Sequence, residues 1–293
     1  MRLALFNHGR LGIVDGDDLV DVTEQFAGPG PYGPAGPLHR HIERLAAGTV
    51  RLPDLASGPR TPLSGVVLEA PLPLPGKIVG APVNYLDHKA EMEYTTSVAD
   101  LGVFLKANSS VIGPGEDILL PYSDKRTDQE GELGVVIGRT ASHVSAEEAL
   151  RHVFGYTCLL DITVRSDEDR STRKSFDTFT PIGPWIVTAD EIPEPDALDL
   201  RCDVGGTTRQ RTNTADLIFG VRELIAYTSS VMTLYPGDVI ATGTPAGVGP
   251  LSHGQRVVVD IERVGRLEVG VDASRATPYG QRPGRRPSPA PAH

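Results

Sequence analysis

Asp128-Gln129-Glu130-Gly131-Glu132-Leu133-Gly134-Val135-Val136-Ile137-Gly138 is the stretch on which the reading of this chain turns. After Glu132 the run is apolar, β-branched and bounded by glycine, which predicts a strand. Alternate residues of a strand share a face, so Glu130 and Glu132 are expected to point the same way. Two carboxylates side by side repel unless a cation or a proton lies between them. A second run, Leu159-Leu160-Asp161-Ile162-Thr163-Val164-Arg165, predicts another strand with Asp161, Thr163 and Arg165 on one face. A lone carboxylate is costly to bury in such a run. Three carboxylates converging from two strands make an all-oxygen site, which suits Mg²⁺, Mn²⁺ or Ca²⁺ better than zinc or copper. Taken alone, the same residues also fit an exposed strand face with Asp161 paired to an arginine, because acidic side chains are mostly exposed.

Outward from this centre, strand signals dominate. GYTCLLDITVR, GPWIVT, LDLRCDV, GDVIATG and RVVVDIERVGRLEV carry apolar or β-branched runs between Gly, Pro and Asp. SAEEALRHVF and DLIFGVRELIAYTSSVM predict helices, the first with Ser145 as cap and Glu148 at the capping-box position. Regular βαβ alternation is missing, which argues against a doubly wound fold and for an α+β, mostly β architecture. Residues 1–70 are expected to form a small N-terminal domain: RLALFN and RLGIVDGDDLVDV predict short strands with an Asp-Gly turn. GPGPYGPAGP, Gly28 to Pro37, predicts a loop, and LHRHIERLAAG a helix ended by Gly48. Residues 71–274 are expected to form the main domain, and 275–293, rich in Pro and Arg, a disordered tail.

Composition narrows the function classes. The chain has 293 residues and a formal net charge of −10, which disfavours nucleic acid as a partner. Aromatic residues are 5%, too sparse for base-stacking platforms. An acidic protein that binds a small acid needs a local cation. Cys158 and Cys202 sit inside apolar runs and are expected to be buried thiols in a reducing cytoplasm. No run approaches the roughly 20 apolar residues of a membrane span, and MRLALFNHGRLG lacks a signal-peptide core. The expected localisation is cytoplasmic, with no membrane partner.

Other segments carry candidate chemistry. In Tyr85-Leu86-Asp87-His88-Lys89-Ala90-Glu91, a helical turn places His88 and Glu91 at i and i+3. A carboxylate that orients an imidazole builds a base able to take a proton from water. A surface helix with charges on several sides is the plainer alternative. Lys106 and Lys174 are candidates to hold a substrate carboxylate or a developing enolate, although a single lysine is usually just solvated. Thr242-Gly243-Thr244-Pro245-Ala246-Gly247-Val248-Gly249 follows a predicted strand, and its N–H groups and hydroxyls can form an anion nest. It lacks the Gly-Lys-Ser/Thr ending of a Walker A loop.

Together, and in this order, the motifs resemble the fumarylacetoacetate hydrolase family from about Lys77 to Val271. The matching pieces are Lys77-Ile78-Val79, Asn84-Tyr85 with His88 and Glu91, Phe104-Leu105-Lys106, Glu130-x-Glu132, Gly155-Tyr156-Thr157 with Asp161 and Arg165, Lys174-Ser175-Phe176-Asp177, Gly183-Pro184-Trp185, and Pro236-Gly237-Asp238 leading into Thr242-Gly243-Thr244-Pro245. The resemblance implies the family's mixed β-sandwich roll, usually a homodimer. It implies Glu130, Glu132 and Asp161 as ligands of Mg²⁺, with Mn²⁺ or Ca²⁺ as substitutes. His88 and Glu91 would be the water-activating pair on a lid, and Lys174 would stabilise an enolate. Tyr85, Lys106, Arg165, Gln210 and Thr244 would contact substrate. The implied activity is hydrolysis of a C–C bond in a small 2,4-dioxo acid, such as an acylpyruvate or a fumarylpyruvate-like acid. Isomerisation or decarboxylation of 2-oxo acids on the same site is the alternative, and an inert binding protein a third. Two departures, Ala81-Pro82-Val83 before Asn84 and Ala107-Asn108 after Lys106, are expected near the substrate.

Overall fold

The strand Gly131–Ile137 is buried along its whole length. It pairs antiparallel with Val153–Leu160 on one side (Glu132 opposite Leu159, Val135 opposite Tyr156) and with Val239–Ala241 on the other (Val135 opposite Ile240). Its two faces enter different cores, which is why its sequence is apolar almost throughout. Leu133, Val135 and Ile137 pack with Cys158, Leu160, Leu200, Val257, Val259 and the helix residues Leu224 and Ile225. Val136 faces the other way, into a core with Leu3, Leu5, Leu38, Ile42, Leu159 and Ile182. Each such aliphatic side chain contributes about 1.5–3 kcal/mol on burial, so the strand is held from both sides.

The computed structural model of the chain describes residues 1–26, 36–49, 53–93 and 95–284. Among them a 12-stranded mixed sheet runs Arg60–Pro62, Asp18–Asp21, Arg10–Asp15, Arg2–Phe6, Thr180–Thr188, Val153–Leu160, Gly131–Ile137, Val239–Ala241, Ile78–Gly80 and Phe104–Lys106, with two short strands beside this path. A five-stranded sheet, Thr207–Asn213, Asp199–Val204, Arg256–Ile261, Gly265–Asp272 and Asp117–Leu119, packs against it. A three-stranded sheet joins Thr163–Val164, Thr127–Gln129 and Gly249–Pro250. The α+β, mostly β class expected from the sequence is the one found.

The N-terminal strands are not a sheet apart: Arg2 and Leu3 pair with Val187 and Ile186, so the strands Arg2–Phe6, Arg10–Asp15, Asp18–Asp21 and Arg60–Pro62 extend the main sheet. The helix Gly36–Ala46 ends as expected before Gly48, whose φ of +65° is a left-handed stop. Residues 27–35 of the Gly/Pro stretch lie outside the described residues. Ser145 accepts a hydrogen bond from the Glu148 N–H, as a cap should, whereas the Glu148 carboxylate turns to Arg151 at 2.6 Å. The second predicted helix is shorter than its apolar run. It covers Val221–Val231, because Asp196 accepts the Val221 N–H at 2.9 Å and starts the helix there.

Two further differences bear on the site. GYTCLLDITVR is two strands rather than one, Val153–Leu160 and Thr163–Val164, and Glu130 falls between Thr127–Gln129 and Gly131–Ile137. The breaks face each other, with the Asp161 N–H donating to the Glu130 carbonyl at 2.9 Å. Both chains therefore leave the large sheet and enter the small one at the same place. Of the expected disordered tail, residues 275–284 are placed against the domain. Thr277 bridges to Tyr122, Tyr279 donates from its hydroxyl to Glu168 at 2.5 Å, and Arg282 pairs with Glu168 at 2.7 Å. Aromatic and ionic contacts there offset the cost of ordering a polar segment. Residues 285–293 lie outside the described residues.

Candidate active site

The sheet junction collects the acids. Glu130, Glu132 and Asp161 each offer an oxygen within 4.8 Å of the others, and all three are buried. Glu130 and Asp161 share one cation: Lys174 Nζ donates to Glu130 Oε2 at 2.6 Å, Asp161 Oδ2 at 2.5 Å and Thr163 Oγ1 at 2.7 Å. Lys106 Nζ donates to Asp161 Oδ1 and, at 2.9 Å, to the Phe179 carbonyl. Arg165 reaches Glu130 Oε1 at 2.9 Å and Asp128 Oδ2 at 2.7 Å, and Arg126 closes on Asp128 at 2.6 Å.

The electrostatics follow from these contacts. Burial works to protonate Glu130, but Lys174 and Arg165 outweigh it and hold the carboxyl far below its ordinary range. Glu132 is different. It forms no ion pair among the described residues and accepts the Gly243 N–H at 2.7 Å. Burial, with Asp161 and Glu130 nearby, pushes it well above the carboxylate range. Burial drives the Lys106 ammonium down, whereas Lys174, equally buried, is driven up by Asp161 and Glu130. A divalent cation answers what Glu132 lacks: the donor set is all oxygen, hard and short of positive charge.

His88 stands over this group, with Nδ1 3.3 Å from Glu91 Oε2. Glu91 Oε1 in turn accepts the Gly247 N–H at 2.9 Å, which ties the helix Leu86–Glu91 to the Gly-rich loop. The nest in that loop thus serves the protein's own acids: Gly243 binds Glu132 and Gly247 binds Glu91. Only glycine fits at 247, where φ is +98° and a Cβ would lie 1.9 Å from the Arg209 carbonyl oxygen.

A cavity of about 30 Å³ opens onto the acids, lined by His88, Glu130, Glu132, Asp161, Arg165, Lys174 and Thr244 among others. Three expected substrate contacts stand behind the wall instead. Tyr85 is fully buried with its hydroxyl unpartnered among the described residues, and burial above all, with Glu132 nearby, keeps that hydroxyl protonated. Gln210 is fully buried and positions Thr244, donating to its Oγ1 at 2.7 Å while accepting the Gly131 N–H at 2.9 Å. Lys106 reaches the acids from below. Of the two departures, Ala81-Pro82-Val83 line the cavity, whereas Ala107 and Asn108 do not.

Four further residues shape the site that carried no role from the sequence. Asp128 and Arg126 clamp Arg165, and a hint lay in Asp128 being two residues before Glu130. Arg170 and Arg173 line the cavity beside Lys174. Arg170 stands four residues before that lysine and three before Arg173, helical spacings that were a usable signal.

Residues 77–272 match the family model described as fumarylacetoacetate (FAA) hydrolase C-terminal. A maleylpyruvate hydrolase of Aquipseudomonas alcaligenes is 43% identical over 92% of this chain and 99% of its own. Among solved structures, maleylpyruvate hydrolase from Sphingobium sp. SYK-6 in complex with manganese(II) ion and pyruvate superposes with a TM-score of 0.81 at 40% identity, over 95% of this chain and all of that one. A 2-hydroxyhepta-2,4-diene-1,7-dioate isomerase from Mycobacterium marinum gives a TM-score of 0.72 at 33% identity, over 94% of this chain and 99% of that one. The buried triad at the sheet junction, the matched span and these likenesses lead to one conclusion: the chain belongs to the fumarylacetoacetate hydrolase family.

Proposed function

We propose that this protein is a divalent-metal-dependent hydrolase that cleaves the C–C bond of an acylpyruvate, a 2,4-dioxo acid. The convergence of Glu130, Glu132 and Asp161 within 4.8 Å, with His88 above them, carries the reading. It is supported by the two maleylpyruvate hydrolases similar to this chain along almost its whole length. Glu130, Glu132 and Asp161 would hold the ion, Mg²⁺ with Mn²⁺ or Ca²⁺ as substitutes. When bound, it supplies Lewis-acid polarisation of the 2-oxo acid. His88, oriented through Nδ1 by Glu91, takes a proton from water, and the resulting hydroxide attacks the carbonyl carbon remote from the 2-oxo acid. Cleavage leaves negative charge on the pyruvate fragment, next to the Lys174 ammonium. Arg165 and Thr244 contact substrate from the wall, while Tyr85, Gln210 and Lys106 brace that wall.

The isomerase among the structural neighbours gives a second reading, isomerisation of a related acid, which needs no attacking water. Product analysis on an acylpyruvate with Mg²⁺ separates them: two carbon fragments mean hydrolysis, and an unbroken chain means isomerisation. His88→Ala should lower hydrolysis by about 10²–10⁴-fold while Mg²⁺ still raises the melting temperature. Full activity in that variant would remove His88 as the base. We also place the domain boundary near residue 70, just before the family match begins at residue 77, and infer a homodimer in the cytoplasm. The two buried free thiols are compatible with that compartment. Among the described residues no helix is long and apolar enough to cross a membrane.

A further inference from the structure

Four cations line the cavity, and they divide into two pairs. Lys174 and Arg165 direct their hydrogen bonds to Glu130, Asp161 and Asp128. Arg170 and Arg173 line the same cavity and, among the described residues, form no ion pair. Arg173 Nε is buried there with no hydrogen-bond acceptor. Like charges three residues apart on a helical turn repel, and a buried N–H without an acceptor is costly. An anion placed between them relieves both.

The local helix aims them. Arg170–Arg173 is one turn, capped by Asp169, whose carboxylate accepts the Ser171 N–H at 2.8 Å. The Lys174 N–H still donates to the Arg170 carbonyl at 3.1 Å, so Arg170, Arg173 and Lys174 share a face. Lys174 reaches the acids, and the arginines continue that face along the cavity wall. The cavity itself is small, about 30 Å³. A groove of about 390 Å³ adjoins it, and Pro82, Phe104 and Arg170 belong to both walls. The acyl end of a substrate, pointing away from the acids, therefore passes Arg170.

We propose that Arg170 and Arg173 form a clamp for a second carboxylate at the acyl end of the substrate, so that the enzyme selects dicarboxylic over monocarboxylic acylpyruvates. The inference rests on the hydrolase reading above. Guanidinium groups are rigid forks that match a carboxylate with two parallel hydrogen bonds. A neutral acyl tail leaves both arginines unpaired and keeps the repulsion.

A matched substrate pair tests it. 2,4-Dioxoheptanedioate and 2,4-dioxoheptanoate differ only in ending with a carboxylate or a methyl group. In each, the hydroxide from water adds to C4, the C3–C4 bond breaks with its electron pair left on C3, and the proton taken from water goes to C3. The products are pyruvate with succinate or with butanoate. For the Mg²⁺-loaded enzyme, the ratio of kcat/KM for diacid over monoacid should fall by about 10–100-fold in Arg170→Gln/Arg173→Gln, and by less in each single variant. An unchanged ratio, or no preference for the diacid in the wild type, overturns the clamp. Calorimetric titration of succinate and butanoate supplies a reading independent of turnover. Wild type should bind succinate more tightly, and the double variant should lose that preference. Should wild type cleave neither dioxo acid, the hydrolase reading fails, and equal binding of the two product acids would sink the clamp as well.

Discussion

Replacing Lys106 by Met tests the charge balance of the site directly. The Lys106 side chain is fully buried, and its ammonium serves Asp161 Oδ1 and the Phe179 carbonyl. Met nearly matches the volume of the lysine stem, so the cavity left behind is small and the loss is mainly electrostatic. Removing one partner of a buried ion pair costs about 3–5 kcal/mol. Asp161 keeps Lys174 at 2.5 Å, and the Phe179 carbonyl keeps the Ile162 N–H at 3.1 Å, which places the expected cost near the lower end, about 3 kcal/mol. With a urea m-value of about 3 kcal/mol/M for a chain of this size, the unfolding midpoint drops by roughly 1 M. The assay is urea unfolding in a chelator, followed by fluorescence of Trp185, the single tryptophan, whose Nε1 donates to the Val264 carbonyl at 2.7 Å. Saturating Mg²⁺ should shrink the difference between variant and wild type, because a cation at the triad compensates Asp161. An unchanged midpoint in chelator, or an equal loss with and without Mg²⁺, would refute the reasoning.

Burial pushes the Cys202 thiol up to about 12 and the Cys158 thiol higher still, so a thiol reagent at pH 8 should modify neither in the native protein and both after denaturation. Burial also lowers the His39 imidazole below 6.5, against a smaller opposing pull from Asp238. The unfolded chain then takes a proton that the folded one resists, so wild-type stability should fall as the pH drops below 6.5 towards the folded-state value. His39→Gln should show a smaller difference in urea midpoint between pH 7.5 and 5.5, and an identical pH dependence would remove His39 as a cause. Gly247→Ala should cost at least about 1–3 kcal/mol from its positive φ alone, with more from the clash at Arg209. It should also lower activity by freeing Glu91, and thermal unfolding together with turnover checks both.

The triad was readable because Asp161 stands in an apolar run, where an unpaired carboxylate is expensive, and Glu130 and Glu132 stand at the head of another, yet the reason read from the strand pattern was incomplete. Glu130 does not lie on the strand with Glu132. The acids converge because two strands break together, and the hydrogen bond from Asp161 N–H to the Glu130 carbonyl closes the junction. Substrate contacts were harder to place. Tyr85 belongs to a motif segment and Gln210 lies apart from all of them, but burial puts both behind the wall. Arg170 and Arg173 carried no assignment from the sequence, and folding places them on the cavity wall.

Local pattern alone pointed to the strand-rich class and the central Leu133-to-Ile137 strand, and it offered the His88–Glu91 pair and the three acids as candidates beside plainer alternatives. Each depends on neighbours a few residues away, whose spacing along the chain sets their spacing in space. Only the tertiary structure decided which cations the acids neutralise and which arginines are left over. Lys106 meets Asp161 across 55 positions and Arg165 meets Glu130 across 35. Whether a charge is spare depends on every group that folding brings within a few ångströms, and no local window contains that set.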